Sequence, residues 1–151
     1  MAAFLSHGPI DPAALLSLVE RDAIGIGAVA SFTGLARGTG KDGVPIDALV
    51  LQSYRGVTLS SMQAIAADAT TRFALQHAHI THRSGRVLPG QPIVFVAAAA
   101  PHRADALDAV AYMMDRLKTE AVFWKYEDVA GEKRWIEPTE ADYARVQKWS
   151  L

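Results

Sequence analysis

A chain of 151 residues that is 50% hydrophobic can bury one well-filled core, and no polar, proline-rich joint divides it, so residues 1–151 read as a single domain. The charge is nearly balanced, −1 at pH 7 with Lys and Arg scattered along the chain, which leaves no footprint for nucleic acid or an anionic membrane surface. The absence of cysteine excludes disulfides, thiolate zinc sites and a cysteine nucleophile, so any sulfur handled here is brought by another molecule.

In chain order, Asp11 followed by Pro12 predicts a helix start, the side chain capping free amides and the proline pre-set for the first turn. Leu15, Leu18, Val19 and Asp22 mark a short helix whose apolar face ends at Ala23. Residues 24–34 alternate as a buried strand does, a glycine-rich loop follows, and 46–54 predict a second strand pairing with the first. Thr58 is the expected cap of a helix to Leu75, with Leu59, Met62, Ala66, Ala69 and Phe73 as its buried stripe. Strands at 77–88 and 92–100 flank the turn Pro89-Gly90-Gln91-Pro92. A central helix opened by His102 and Arg103, a strand through Phe123-Trp124-Lys125-Tyr126-Glu127, a short segment around Trp135 and a last helix from Thr139 complete the chain. The longest apolar run, 93–100, falls far short of the ~20 residues of a spanning helix, and no basic segment leads into an apolar one at the N-terminus. A cytoplasmic protein is the expectation.

Three motifs invite a functional reading. Residues 38–43 spell G-x-G-x-x-G after a strand, but Val44-Pro45 and another strand follow, so no helix N-terminus is there to hold a pyrophosphate. A hairpin loop is the better reading. His77, His79 and His82 form an H-x-H-x-x-H cluster, yet His82 falls on the opposite strand face and no cysteine or carboxylate joins them, so no metal site is expected. The third motif is the central helix with the strand after it. Leu107, Ala111, Met114 and Lys118 fall on one stripe of a 3.6-residue period, so Lys118 continues an expected apolar face. Along the strand, Phe123, Lys125 and Glu127 share one side and Trp124 and Tyr126 the other. Two lysines thus approach one spot. At the other end of the helix, free amides beside His102 and Arg103 suit an anion such as phosphate. Each element also has a plain alternative: Lys118 complementing the helix dipole, Lys125 pairing with Glu127, and a solvated helix start.

Taken in order, Phe32-Thr33-Gly34-x-x-Arg37, His82-Arg83-x-Gly85, Pro89-Gly90, the His102-Arg103 helix start, and Met114-Asp115-x-Leu117-Lys118 with Phe123-Trp124-Lys125-x-Glu127 resemble the large, catalytic subunit of molybdopterin synthase, the MoaE family. The resemblance runs from about Gly25 to Trp149. It implies an α+β fold, an α/β hammerhead with an additional antiparallel sheet, and a homodimer flanked by two copies of a small ubiquitin-like subunit in a heterotetramer. It implies that this partner, of the MoaD type, ends in Gly-Gly bearing a thiocarboxylate. Two sulfur transfers to cyclic pyranopterin monophosphate then make the dithiolene of molybdopterin, with no cofactor of the enzyme's own. The positions matching the family's pocket are Phe32, Arg37, His102, Arg103, Met114, Lys118, Lys125 and Glu127. Two positions depart from the family pattern: Gln52 stands where Glu is frequent, and Arg86 where an acidic residue is common.

The chemistry agrees with the residues. A phosphorylated substrate needs fixed cations and helix amides, offered by Arg37, Arg103 and the helix start at His102. Exchanging oxygen for sulfur needs a proton donor for the departing oxygen and a positive charge for the thiocarboxylate. Lysine serves either purpose, because burial beside another cation lowers its pKa toward neutrality. Lys118 is assigned to the reacting centre, on the expectation of a packed stem, and Lys125 to orienting the thiocarboxylate or substrate. Two other readings stay open: a Schiff-base lyase with one desolvated lysine beside another, and a dimeric protein that binds a phosphorylated small molecule without turnover.

Overall fold

The computed structural model describes residues 2–21 and 24–150. Among the described residues, eight strands and four helices form an α+β fold with two four-stranded sheets. The first sheet has the order β1 (Ala2–Ser6), β4 (His77–Arg83), β6 (Pro92–Ala100), β2 (Ala28–Leu35). Only its β1–β4 pair is parallel. The second sheet has the order β5 (Gly85–Val87), β3 (Ala48–Ser53), β7 (Phe123–Val129), β8 (Glu132–Ile136) and is antiparallel throughout.

The apolar run at 93–100 becomes β6, an inner strand of the first sheet covered on both faces, which is why its sequence does not alternate. Val94, Val96, Ala98 and Ala100 face the main core, packed by α2 (Val57–Phe73) and α3 (Arg103–Glu120) through Met62, Ile65, Ala109 and Met113. Phe95, Ala97 and Ala99 face α1 (Pro12–Glu20) through Val19. The start of α1 is as expected: Asp11 accepts a hydrogen bond from the Ala14 amide at 3.2 Å and Pro12 occupies the first turn. The expected end of its apolar face, Asp22 and Ala23, lies outside the described residues.

Several expectations are corrected. The second predicted strand does not pair with the first: β2 and β3 lie in different sheets, and β3 sits between β5 and β7. Ile24 is almost fully exposed, and β2 begins only at Ala28. The predicted strand 77–88 divides into β4 and β5, because Gly85, at φ +99, lets the chain step from one sheet into the other. β1 has no counterpart among the predicted elements. Thr58 is not the cap of α2; Gly56 holds that position with no side-chain bond. The Thr58 hydroxyl is buried, accepts from the Tyr54 amide at 2.7 Å and donates to the Val122 carbonyl, tying the start of α2 to the end of α3.

The central helix also differs from its predicted stripe. Its buried face is Ala106, Ala109, Val110, Met113 and Leu117, whereas Leu107 is 60% exposed, Ala111 and Met114 are half-buried and Lys118 is exposed. Both stripes fit a 3.6-residue period; the one carrying alanine and valine against the alanine-rich β6 permits the closer helix–sheet approach. At the C-terminus α4 (Glu140–Gln147) opens with a capping box between Thr139 and Asp142. It is fastened to α3 through the buried Asp115, which accepts from Trp149 at 2.8 Å and from Arg145 at 3.1 Å.

Candidate active site

Where the two sheets meet, a cleft of about 730 Å³ opens between the inner face of β3 and β7, the ends of β2 and β6, and the last turns of α3. The period-two reading of β7 holds here: Phe123, Lys125 and Glu127 line the cleft, while Trp124 is half-exposed on the far side against Tyr54 and Trp135. Six of the eight residues expected in the site, Phe32, Arg37, Met114, Lys118, Lys125 and Glu127, line it together. The wall at Phe32 is tightly fitted. A Cβ on Gly34 would stand 2.8 Å from Val94 Cγ1 and 3.3 Å from Phe32 Cε1, so glycine is the residue that fits between them.

His102 and Arg103 do not join them. They are exposed at the start of α3 and separated from Lys118 by about 24 Å of helix, at 1.5 Å per residue. The His102 side chain makes no cap bond either.

Electrostatics divide the two lysines. Lys125 is half-buried, and its pKa is pushed down to about 8, first by loss of water around the amine and then by the neighbouring Lys118 charge, with Asp142 pulling the other way. Lys118 lies on the exposed flank of α3, so the packed stem expected of it belongs instead to Lys125. Among the described residues neither lysine stands in an ion pair, and Lys125 does not pair with Glu127. Arg86, Arg116, Arg134 and Arg145, away from the cleft, all have carboxylate partners.

Among the cleft residues that sequence reasoning missed, two contributors bear on the lysines. His82 lies at the cleft floor, buried, with its ring 4.3 Å from that of Phe123 and Nδ1 2.8 Å from the Arg83 carbonyl oxygen. Since a carbonyl only accepts, Nδ1 carries the proton. Burial first, and then the Lys125 and Lys118 charges, push its pKa down to about 3, so the imidazole is neutral. The second contributor is the C-terminal segment, from which Thr139, Asp142 and Tyr143 line the cleft. Asp142 is held below the usual carboxylate range, chiefly by the Thr139 amide and additionally by the two lysine charges. It also closes the capping box with Thr139; the sequence expectation, only a helix from Thr139, assigned Asp142 no part.

Within the histidine cluster, His79 bonds to Thr81 at 2.7 Å while His82 turns to the other face, against Phe123. The departures also find places. Arg86 forms an ion pair with Asp128 at 2.6 Å, and Gln52 lies with Tyr54 and Trp124 in a second, shallow depression on the outer face of the second sheet.

The chain is similar to known proteins in both sequence and fold. The family model described as "MoaE protein" matches residues 5–120. A molybdopterin synthase catalytic subunit of Caulobacter vibrioides is 46% identical over 149 residues, covering 99% of this chain and 97% of the relative. One of Pseudomonas aeruginosa is 42% identical and covers 99% of both. Among solved structures, a molybdopterin biosynthesis MoaE protein of Burkholderia ambifaria superposes with a TM-score of 0.83 at 34% identity, covering 99% of this chain and 97% of that one. Two sheets, a lysine pair at their junction and end-to-end similarity converge on one assignment: the chain belongs to the MoaE family.

Proposed function

We propose that this chain is the catalytic subunit of a molybdopterin synthase, working as one domain in the cytoplasm. It takes sulfur from the C-terminal thiocarboxylate of a small ubiquitin-like partner and transfers it to cyclic pyranopterin monophosphate. The observation that carries this reading is the pair Lys118 and Lys125, unpaired with any carboxylate among the described residues, lining one cleft in a MoaE-family chain. A relative named as a catalytic subunit works with another subunit, and a chain without cysteine has no thiol of its own to offer. No helix among the described residues is long and apolar enough to cross a membrane.

In each transfer the thiocarboxylate sulfur attacks a substrate carbon, and the oxygen substituent there leaves with a proton. Water then cleaves the resulting thioester, releasing the partner's tail as a carboxylate and leaving sulfur on the substrate. Lysines near the reacting carbon serve both needs: a charge for the incoming anion and a proton for the departing oxygen. Lys125, with a pKa near 8, gives up and regains a proton within the physiological range. Phe32 and Met114 supply apolar wall, Glu127 orients the substrate, and Arg37 faces its phosphate. His102 and Arg103, remote from this cleft within one chain, serve the cleft of the dimer mate.

A Schiff-base lyase is the second reading, because a half-buried lysine depressed by a neighbouring lysine is also what that chemistry requires. One comparison separates the two. Purified protein incubated with precursor and thiocarboxylated partner is expected to form the dithiolene, and free sulfide in place of the partner is expected to give far less. Equal conversion with sulfide alone, or borohydride trapping of a simple keto acid on Lys125 without a partner, contradicts the sulfurtransferase.

A further inference from the structure

The glycine-rich segment 38–45, which does not form a nucleotide site, is nevertheless set against the cleft. Thr39 and Lys41 line it, as Arg37 does. The segment closes on itself: Thr39 bridges Pro45, the Gly40 amide donates to the Val44 carbonyl at 2.9 Å, and Gly43, at φ +77, makes the turn. Two contacts then pin the closed loop to the second sheet. Arg134 of β8 donates to Asp42 at 2.8 Å. The Gly40 backbone lies against Glu127 of β7, so closely that a Cβ there would stand 3.0 Å from Oε1. Glu127 is two residues from Lys125 on the same strand face, about 7 Å away, so the loop stands beside the lysine pair.

The latch also explains why Lys41 is uncommitted. Its neighbour Asp42 is occupied by the Val44 amide at 3.1 Å and by Arg134; these bonds, the amide first, hold its carboxyl below the usual range. Among the described residues Lys41 stands in no ion pair, although Glu127 and Glu137 line the same cleft. An uncommitted cation on a pinned loop keeps its reach while losing less freedom on binding than one on a free loop.

We propose that Lys41 is a further anion-binding residue of this cleft, held over it by the Asp42–Arg134 latch, and that with Arg37 it takes the phosphate of the substrate. This rests on the function proposed above. The test is steady-state kinetics with precursor and thiocarboxylated partner for wild type, Lys41→Gln and Asp42→Asn. Lys41→Gln should raise KM for the precursor by about tenfold, as loss of one charge-assisted contact does, with kcat and KM for the partner nearly unchanged. Asp42→Asn is the sharper variant, because removing a negative charge would by itself tighten anion binding, whereas loss of the latch weakens it. A raised precursor KM in that variant supports the latch; a lowered one overturns it. Unchanged precursor KM in Lys41→Gln overturns the proposal, and a raised partner KM instead would assign Lys41 to the tail's carboxylate and overturn the phosphate assignment. Should wild type itself not turn over, the proposed function fails, and inorganic phosphate then tests the site alone: binding equal in wild type and Lys41→Gln overturns it, weaker binding in the variant supports it.

Discussion

Lys125 carries a cost that the cleft imposes. Its pKa falls from the ordinary 10.5 to about 8 on folding, so the charged amine is disfavoured in the folded chain by up to ~3 kcal/mol at 1.36 kcal/mol per unit. Between pH 8 and 10.5 the unfolded chain still holds a proton that the folded chain has released, so this contribution makes stability rise with pH across that window. The penalty is therefore fully present below pH 8. Lys125→Met, which keeps the stem and removes the amine, should raise stability at pH 7 by roughly 1–3 kcal/mol, and the gain should fade by pH 10.5. Thermal melts of both proteins at pH 7 and near pH 10 check this; identical melting at pH 7 would show that the amine is not desolvated. Side-chain alternation along a strand was enough to put Lys125 and Glu127 on one face. Which lysine is covered was not, because that depends on which of two overlapping stripes of α3 meets β6, a matter of inter-element distance that periodicity does not encode.

Among the elements, the starts of α1 and α4 were read well, whereas Thr58 was not the cap expected of α2. Asp11-Pro12 and the Thr139–Asp142 capping box act through bonds spanning only three residues, so local sequence contains the whole cause. Pairing between strands was read worst. Nothing local says that β3 leaves β2 for another sheet, or that β1 adds to β4 in parallel. The junction between α3 and α4 shows a similar limit: Asp115 stood inside the lysine motif without an assigned part, yet it is the buried acceptor for Arg145 and Trp149. Asp115→Asn should weaken this junction by about 1–3 kcal/mol, since it leaves the Arg145 and Lys148 charges without their anion. Hydrogen exchange should then quicken across Glu140–Gln147 while the buried part of α3 stays protected. Unchanged protection of α4 would mean that its apolar contacts, with Trp149 against Phe73 and Tyr112, hold it without the aspartate.

Across the molecule, the first sheet with its three helices supplies the packed body, and the second sheet turns its inner face toward the end of α3 to make the cleft. Motif matching placed six residues in that cleft because the motifs lie on the strands and helix that form its walls. It matched His82 without placing it in the cleft and did not supply Asp142 or Lys41, since their positions depend on how a buried ring, a C-terminal helix and a latched loop close around it. Nor do His102 and Arg103 meet the other six within one chain. The central claim is that Lys118 and Lys125 serve one transition state. The most direct measurement is single-turnover conversion of precursor with thiocarboxylated partner by wild type, Lys118→Ala, Lys125→Ala and the double variant. Each single variant should lose about 100-fold or more, as expected when a group acting in proton transfer is removed, and the double should be scarcely slower than the worse single, because groups acting as a unit are not additive. Near-normal turnover in either folded single variant, or two losses that simply multiply in the double, would contradict a shared two-lysine centre.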